Sequence, residues 1–528
     1  MPLDRTLGRT LSDNSLRFPD RPAYVAGSTI LTHARLRTDA ATIATALAAR
    51  GIRRQDRVAL LDRNTLDFAR VLAAGQLSGI VVATVNFRLA APEIAAIVSD
   101  AAPRVLFFGA EYEEVIATLR DQLPDVELFI RMGSSDRTPA PGVETLDSLL
   151  AVPAEEPPYE ARPEDIACLI YTSGTTGKPK GCILGHHEMR SLASTLNGEM
   201  RSGSKDKILL CMPLFHVGAM AMALGVHARG GCAVLHEAFD PARVLATVND
   251  EQITVLHLAP TMLAEVVTAA RSAGTTLDSV RTVVYSAAPM TSAGLTAALE
   301  TMPNVDFMNL YGQSEVITSG LPPELHRSLE TDADARRLRS VGYPFPGTEV
   351  RIVNDDGGEC APGEPGEIAV RCDAVFRGYW NDSVRTAEVL RDGWCHTGDI
   401  GVLDEGLLYL VDRKKDVVIT GGENVYSLEV EDALAMHPGV HRCAVIGTPD
   451  PRWGETVTAI VVREPGAQVD EDELRAFVRT RLAGYKCPRK IYFVPELATL
   501  NSGKIDKKTL RATYSRPAAE LHGEAARG

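Results

Sequence analysis

The sequence predicts an α/β protein with a large N-terminal α/β domain that includes a β-rich subdomain, followed by a small α+β domain. Three observations support this fold class. The chain has 528 residues, too many for one simple core. Its first part alternates helix-like and strand-like segments. After about residue 341, strands broken by Gly and Pro turns replace that alternation.

The N-terminal part repeats a helix followed by a short apolar strand. The helix-like segments are TDAATIATALAARGI, TLDFARVLAAGQLSGI and PEIAAIVSDAAP, and the strands after them are DRVALLD, VVATVNF and RVLFFGA. Short apolar strands between helices are typical of parallel sheets that are covered on both faces. We therefore expect buried, largely parallel strands in this domain.

The middle of the chain continues this pattern around turns rich in small residues. Residues 138–165 are rich in Pro and acidic residues and are expected to form a surface connection to the strand IACLI. A Gly-rich loop follows this strand, and the helix HHEMRSLASTLNGEM follows the loop. RTVVYSAAPM and VDFMNLYGQSE are expected to be strands that end in loops. Between them lies the helix TSAGLTAALETM, with Thr291 as its N-cap.

The C-terminal part predicts two smaller β-containing regions. TEVRIVNDDGGECAPGEPGEIAVRC indicates the β-rich subdomain. A compact α+β pattern follows residue 415: the helix LEVEDALAMHPG, the strands VHRCAVIGTPD and ETVTAIVVRE, the helix DEDELRAFVRTRLAG and the strand KIYFVPEL. We place the boundary so that residues 1–412 form the N-terminal domain and 413–528 the C-terminal domain.

Composition and charge limit the partners. The formal net charge of −14 argues against nucleic acid as the main partner. The nine Cys form no CxxC pair, so a disulfide framework or zinc site is not expected and a reducing cytoplasm fits best. The N-terminal residues lack the apolar run of a signal peptide. Residues 71–85 are too short and too polar for a membrane span, so we expect a cytoplasmic protein.

The segment YTSGTTGKPKG, residues 171–181, indicates a phosphate-binding loop. It does not fit the P-loop of nucleotide triphosphatases, because only two residues separate Gly174 from Gly177 and Pro179 follows Lys178. Gly lets backbone N–H groups point at an anion, hydroxyls add donors and Lys adds charge. A plain surface loop is the alternative interpretation.

This segment resembles the phosphate loop of the adenylate-forming (ANL) superfamily, which includes acyl-CoA synthetases and AMP-dependent acid–CoA ligases. Four further segments resemble that family in the same order: YGQSE (311–315), TGD (397–399), DRKKDVVITGGENVYSLEVE (412–431) and NSGKID (501–506). The resemblance covers nearly the whole chain. It implies an AMP-forming acid–CoA ligase whose small C-terminal domain is mobile, with ATP, Mg²⁺ and CoA beside a carboxylic acid substrate.

The resemblance also implies a nucleotide site. The residues expected to hold the β- and γ-phosphates are Thr172, Ser173, Gly174, Thr175, Thr176, Gly177 and Lys180. Those expected around the adenine and the α-phosphate are Ser286, Ala287, Ala288, Asn309, Tyr311, Gly312 and Ser314. Asp399 is expected at the ribose, Arg413 at the ribose or a phosphate, and Glu315 is a hard oxygen ligand suited to Mg²⁺.

The C-terminal segments carry the implied catalytic lysine and the hinge. Lys504 is expected to bridge the carboxylate and the α-phosphate during adenylation, and Lys415 is expected to be the hinge. After rotation about this hinge, Gly421 and Gly422 would approach the pantetheine of CoA. The chain departs from a frequent family form in having Ser427 where Pro is common.

The acid itself is only partly indicated. His216, in PLFHVGAM, resembles a site residue at the entrance of the acyl pocket, although a core histidine is the alternative. FHVGAM contains no acidic residue, which argues against an amino-acid substrate. Val217, Ala219, Met220 and Met222 form an apolar neighbourhood that fits either an acyl pocket or plain core.

Two other functions stay open at this stage. One is an acyl-AMP ligase that transfers the acyl group to a carrier protein, and the other is a non-catalytic adenylate-binding module. The presence of Lys504, Glu315 and Asp399 argues against the second, because binding alone does not require Lys504. The family resemblance also allows a homodimer formed through the N-terminal domain.

Overall fold

The structure is a computed structural model that describes residues 6–133, 137–172, 179–288, 290–326, 331–499 and 505–515. The chain divides into two compact units. The larger unit is formed by Met1–Val350 and Val370–His396, and the smaller unit by Arg351–Ala369 and Thr397–Gly528. The boundary expected between residues 412 and 413 stays a prediction.

The described residues contain 26 strands. They are β1 (Pro22–Ala26), β2 (Thr29–Thr32), β3 (Arg57–Leu61), β4 (Val81–Val85), β5 (Val105–Gly109), β6 (Leu128–Met132), β7 (Val143–Thr145), β8 (Ile166–Thr172), β9 (Lys180–Gly185), β10 (Lys207–Leu210), β11 (Cys232–Leu235), β12 (Val255–Leu258), β13 (Thr282–Ser286), β14 (Asp306–Gly312), β15 (Ile317–Gly320), β16 (Tyr343–Pro344), β17 (Glu349–Val353), β18 (Gly366–Arg371), β19 (Leu390–Arg391), β20 (Trp394–Asp404), β21 (Leu407–Arg413), β22 (Val418–Thr420), β23 (Glu423–Val425), β24 (Val440–Asp450), β25 (Gly454–Arg463) and β26 (Lys490–Phe493).

The same residues contain 16 α-helices. They are α1 (Leu7–Arg17), α2 (His33–Ala49), α3 (Leu66–Ser78), α4 (Ala91–Ala101), α5 (Glu113–Leu119), α6 (Leu146–Leu150), α7 (His186–Met200), α8 (Val217–His227), α9 (Pro241–Glu251), α10 (Pro260–Ala273), α11 (Ser292–Thr301), α12 (Asp332–Arg337), α13 (Ser383–Val389), α14 (Ser427–Ala435), α15 (Glu471–Arg479) and α16 (Lys507–Tyr514).

A nine-stranded sheet of the larger unit carries several of the predicted site residues. Its order is β16-β15-β14-β13-β12-β10-β11-β1-β2. The central strands are parallel, and their register sets Tyr285 beside Asn309 and Ser286 beside Leu310. Helices α9, α10 and α11 cover one face of this sheet with an apolar cluster. Because carboxyl ends of parallel strands meet at one edge, residues that follow β12, β13 and β14 converge there.

A seven-stranded sheet carries the predicted phosphate loop. Its order is β7-β6-β5-β3-β4-β8-β9, and all pairs are parallel except β8 with β9. The helix predicted after the Gly-rich loop is present as α7, and β9, which pairs antiparallel with β8, lies between the loop and this helix. The sequence pattern missed this strand because it begins with Lys180 and Gly181 directly after Pro179, a combination typical of a turn.

Two further sheets follow the change of pattern near residue 341. One has five strands, in the order β17-β18-β20-β19 with β21 beside β20. The other, in the smaller unit, has the order β23-β22-β25-β24 with β26 parallel to β25. Helices α14 and α15 pack on the second of these sheets around Val430, Leu434 and Leu474. The predicted fold class, including its β-rich part and its α+β part, is confirmed.

Several helices begin where a side chain accepts a hydrogen bond from the first turn. The Thr291 hydroxyl accepts from the Gly294 N–H at 3.2 Å, as predicted for the start of α11. The Thr65 hydroxyl does the same for α3. Gly79 ends α3 with a φ of 74°, and a Cβ there would lie 2.7 Å from the Asp165 carboxylate, so only Gly fits.

Candidate active site

The predicted phosphate loop joins the two strands of an antiparallel hairpin. Thr172 ends β8, Lys180 begins β9, and the two residues are register partners. Ser173, Gly174, Thr175, Thr176 and Gly177 lie outside the described residues. The hairpin is held at its base, because the buried Tyr171 donates its hydroxyl to Asp100 at 2.7 Å. A Cβ at Gly181 would lie 3.0 Å from the Tyr171 ring, so the strand after the loop approaches that ring closely.

Glu315, the predicted metal ligand, has a partner that the sequence did not reveal. The Tyr379 hydroxyl donates to the Glu315 carboxylate at 2.5 Å. The Lys180 ammonium lies 5.1 Å from the centroid of the same Tyr379 ring, within cation–π range. Tyr379 is buried, at 6% exposure. One tyrosine therefore contacts both the predicted metal ligand and the predicted phosphate-binding lysine.

Backbone hydrogen bonds hold this tyrosine in place. We call residues 376–380 the tyrosine segment. The Arg377 N–H donates to Ile183 at 2.9 Å and the Trp380 N–H to Gly181 at 2.7 Å, so the segment runs along β9. The Phe376 N–H donates to the Glu315 carbonyl at 2.8 Å. The segment therefore fixes β9 and the 311–315 loop relative to each other.

The predicted adenine-binding residues meet at the carboxyl ends of β13 and β14. Ala287 and Ala288 are exposed just after β13, and Ala287 has a φ of 74°, which is unusual for a residue with a side chain. Tyr311 and Asn309 lie on β14. The Asn309 Oδ1 atom is buried without a hydrogen-bond partner among the described residues. It is thus an acceptor suited to an amino group such as that of adenine.

The 311–315 loop is tightly built. A Cβ at Gly312 would lie 2.5 Å from the Ile317 Cα, so no side chain fits there. Gln313 and Val316 exchange backbone hydrogen bonds of 2.8 and 3.2 Å. Ser314 and Glu315 lie within this turn and are half-buried. The turn therefore sets the direction of both side chains.

His216 lies at the start of α8, on the larger unit. It is the N-cap residue of this helix and is half-buried, with its ring 4.3 Å from that of Phe215. Its apolar neighbours on α8 are all buried, with Val217 the most exposed at 8%. His216 is therefore the residue of this group that is partly accessible. Its role at the acyl pocket stays a prediction.

The smaller unit brings the predicted ribose-binding residues together. Asp399 and Arg413 are register partners on β20 and β21, and the Arg413 Nε lies 3.5 Å from the Asp399 Oδ1. Asp399 is buried, at 6% exposure. Gly398 precedes it with a φ of 70° and accepts the Lys414 N–H at 2.9 Å. This hydrogen bond joins the residue before Asp399 to the residue before Lys415.

A buried network surrounds the unusual Ser427, and we call it the Ser427 network. The Ser427 N–H and hydroxyl both donate to the Asp412 carboxylate, the hydroxyl at 3.1 Å. The Lys507 ammonium donates to the Ser427 hydroxyl at 2.7 Å and pairs with Glu431 at 2.7 Å. Burial raises the pKa of Asp412 and of Glu431, and the Lys507 charge opposes both shifts. A proline at 427 has neither the N–H nor the hydroxyl.

Helix α16 is held to the predicted hinge at two points. Lys507 reaches Asp412 through Ser427, and Arg511 pairs with Asp416 at 2.6 Å. These acids flank the predicted hinge residue Lys415, which is exposed. Lys504, three residues before this helix, lies outside the described residues. Helix α16 is therefore tied to the hinge segment on both sides of Lys415.

The two glycines predicted near the pantetheine both adopt left-handed conformations. Gly421 has a φ of 62° and Gly422 a φ of 86°. A Cβ at Gly421 would lie 2.8 Å from the Trp453 ring. The turn between β22 and β23 therefore needs glycine for both its conformation and its packing.

Two family models match the chain. A model described as "AMP-binding enzyme" matches residues 11–380, and one described as "AMP-binding enzyme C-terminal domain" matches residues 429–504. The chain belongs to the AMP-binding enzyme family. The resemblance drawn from the sequence motifs is thereby confirmed.

Relatives of this AMP-binding enzyme match it over nearly their whole length. A feruloyl-CoA synthase from Amycolatopsis sp is 38% identical over 94% of this chain and 96% of its own. A long-chain-fatty-acid–CoA ligase from Mycobacterium tuberculosis is 33% identical over 97% of this chain and 99% of its own. The solved structure of an amide bond synthetase from Marinactinospora thermotolerans is 33% identical, covers 96% of this chain and 99% of its own, and has a TM-score of 0.85.

The AMP-binding enzyme offers one carboxylate that suits Mg²⁺. Mg²⁺ is usually held by one or two carboxylates together with substrate phosphates and water. Glu315 is half-buried and hydrogen-bonded to Tyr379, so its orientation is fixed. Among the described residues no group of three His, Cys, Asp or Glu side chains could enclose a metal. Glu315 therefore fits a site that substrate phosphates would complete.

Across the parts of the chain that the structure describes, no helix combines the length and the apolar character that crossing a bilayer requires.

Proposed function

We propose that this AMP-binding enzyme is an AMP-forming carboxylic acid–CoA ligase. The observation that carries the proposal is the contact of Tyr379 with both Glu315 and Lys180, in a chain that matches the family's models in both parts. A carboxylate oxygen attacks the α-phosphorus of ATP and pyrophosphate leaves. The CoA thiol then attacks the acyl carbon, its proton is lost to a base or solvent, and AMP leaves with the carboxylate oxygen.

The first step joins two anions, so positive charge and fixed donors must surround the phosphates. We assign this task to Lys180, Thr172 and the loop 173–177, with Ser314 at the α-phosphate. Tyr379 keeps Glu315 in one orientation and leaves the Lys180 ammonium over an aromatic face. We assign Mg²⁺ to Glu315, where the ion would supply charge neutralisation at the phosphates.

We assign separate residues to the two parts of the nucleoside. We assign the adenine to the residues after β13 and on β14, where the Asn309 Oδ1 lacks a partner among the described residues. We assign the ribose hydroxyls to Asp399, because one carboxylate can accept two hydroxyl donors. Arg413 lies beside that carboxylate and would orient it.

Two lysines are assigned to the adenylation step and to the domain rotation. We assign Lys504 to the bridge between the carboxylate and the α-phosphate. We assign Lys415 to the pivot of the domain rotation, with the domain boundary after residue 412. This rotation would replace Lys504 by the Gly421–Gly422 turn for thioester formation. The Ser427 network supports the pivot by tying α16 to the residues on both sides of Lys415.

The acceptor is the point on which close alternatives differ. One relative is named a feruloyl-CoA synthase and another a long-chain-fatty-acid–CoA ligase, whereas the similar solved structure is named an amide bond synthetase, so an amine acceptor is a second candidate. A carrier protein is a third acceptor to test. A cytoplasmic location and a homodimer stay predictions.

The test is pyrophosphate release with ATP and Mg²⁺ over aliphatic, aromatic and hydroxylated acids. Each acid is run with CoA, with a primary amine, with a carrier protein bearing phosphopantetheine, and alone. The proposal expects one acid class to give its CoA thioester, and expects Lys504→Ala to lose acid-dependent pyrophosphate release. A product formed only with the amine or only with the carrier would contradict CoA as the acceptor. Nucleotide binding without pyrophosphate release for any acid would contradict the ligase itself.

A further inference from the structure

We propose that His257 forms a polar subsite for the acid, in which its Nδ1 atom hydrogen-bonds a hydroxyl group on the substrate. The substrate class is thus a hydroxyl-bearing carboxylic acid. This inference rests on the proposed ligase function and makes its substrate more specific.

His257 lies at the edge of the sheet where the predicted site residues converge. It is the penultimate residue of β12, and Ser286 ends the neighbouring parallel strand β13. Leu256 and Leu258 belong to the apolar cluster under α10, so His257 points to the opposite face. On that face the ring Nε2 lies 2.8 Å from the Ser286 Oγ. His257 therefore contacts a residue expected to line the nucleotide site.

The second ring nitrogen, Nδ1, has no hydrogen-bond partner among the described residues. His257 is fully buried, so this nitrogen is a buried polar atom. Leaving such an atom unpaired carries a desolvation cost, so buried polar atoms are nearly always satisfied. A ligand group at Nδ1 would remove this cost.

Gly218 leaves room beside this ring, next to His216. Apart from adjacent residues and the backbone of its own helix, a Cβ built at Gly218 would have one heavy atom of the described residues within 4 Å, the His257 Cε1 at 3.7 Å. Cε1 is bonded to both ring nitrogens, so this space borders the ring edge that includes Nδ1. Gly218 follows His216 by two residues, at the predicted entrance for the acid. The space, the unpaired nitrogen and the predicted acid site therefore adjoin one another.

The protonation state of His257 favours a hydroxyl as the partner. Burial lowers the pKa of His257 to about 4, so the ring is neutral at neutral pH. A neutral ring has one donor and one acceptor nitrogen, and the Ser286 hydroxyl can satisfy either. If Nε2 accepts from Ser286, Nδ1 is the donor nitrogen, and if Nε2 donates, Nδ1 is the acceptor. A hydroxyl can both donate and accept, so it matches Nδ1 in either tautomer.

The experiment measures kcat/KM for matched acids that differ by one hydroxyl. The pairs are benzoate with 4-hydroxybenzoate, cinnamate with 4-hydroxycinnamate, and octanoate with 8-hydroxyoctanoate. The rate of each reaction is measured by pyrophosphate release. We expect the wild type to favour the hydroxylated member of at least one pair by about tenfold to 100-fold, the usual cost of an unpaired buried group.

Two variants separate the nitrogens of His257. His257→Gln keeps a polar atom near the Nε2 position and the contact with Ser286, whereas His257→Asn keeps one near the Nδ1 position. We expect Gln to bring the ratio within a pair close to one, and Asn to keep most of the preference. A purely structural role would lower both members of a pair equally in both variants.

The matched control is His326→Gln. His326 is also buried, but its two nitrogens already have partners, the Tyr285 hydroxyl and the Pro322 carbonyl, both at 3.0 Å. This variant should leave the ratio unchanged. If wild type activates both members of every pair equally, the subsite is refuted while the ligase function stands. If no acid releases pyrophosphate, the proposed function fails and the subsite with it.

Discussion

Replacing Ser427 with Pro, the residue that the family resemblance leads us to expect at this position, should destabilise the smaller unit. The substitution removes the N–H that donates to Asp412 and the hydroxyl that joins Asp412 to Lys507. Ser427 is the first residue of α14, a position where Pro is well tolerated in helices. Helix propensity alone would therefore predict little change in stability, whereas the lost hydrogen bonds predict destabilisation.

The magnitude follows from the bonds that are lost. Asp412 is 1% exposed, so water does not replace the missing donors. Hydrogen bonds to charged groups contribute about 1.5–3 kcal/mol each. Ser427→Ala keeps the N–H and loses the hydroxyl contacts, which we expect to cost about 2–4 kcal/mol. Ser427→Pro loses one donor more, offset by about 0.4–1 kcal/mol of reduced chain entropy in the unfolded state. We expect a net loss of about 3–5 kcal/mol.

Hydrogen exchange of the full chain measures this loss locally, which matters because two compact units need not unfold together. In Ser427→Pro, amides of α14 and α16 should exchange about 100-fold faster or more, and Ser427→Ala should lie between it and wild type. Ser383→Pro is the matched control, because Ser383 is an exposed first residue of α13. Exchange of α14 within about threefold of wild type in Ser427→Pro would refute the reasoning.

Three further predictions concern nucleotide binding and pH. Tyr379→Phe frees the Glu315 carboxylate and should weaken Mg²⁺-dependent ATP binding about tenfold in calorimetric titrations; equal affinity would contradict the positioning role. Asp399→Asn should raise the KM for ATP about tenfold or more while leaving the KM for the acid unchanged, and a matching rise in both would argue against a ribose contact. Burial lowers the pKa of His227 to about 3 and of His326 to about 4, below the ordinary 6.5. The unfolded state then binds more protons below pH 6.5, so each histidine should cost up to about 1.4 kcal/mol of stability per pH unit as pH falls towards 4; an equal melting temperature at pH 7.5 and 5.5 would contradict this.

Most of the fold could be predicted because its elements carry local signals. The helices α2, α3 and α4 and the strands between them follow from apolar periodicity, and Thr291 is a recognisable N-cap. Strand β9 could not be predicted in this way, because its partner β8 and the hairpin geometry, rather than its own Gly- and Lys-containing sequence, make it extended.

The candidate site was predicted where residues stand in contiguous motifs and missed where they come together only in the fold. Tyr379 reaches Glu315 from 64 residues further along the chain. Its aromatic neighbours in FRGYWND were the only local signal. The partners of Ser427 lie 15 and 80 residues away, so the sequence marked its departure from Pro without giving the reason.

The most direct test of the central claim, an acyl-adenylate formed from the acid and ATP, follows the acid's own oxygen. An acid accepted by the enzyme is labelled with ¹⁸O in both carboxylate oxygens and converted with ATP and CoA. Because the carboxylate attacks the α-phosphorus and the thiol later expels AMP, one labelled oxygen should appear in AMP for each thioester formed. Unlabelled AMP, or label in inorganic phosphate together with ADP, would contradict the account.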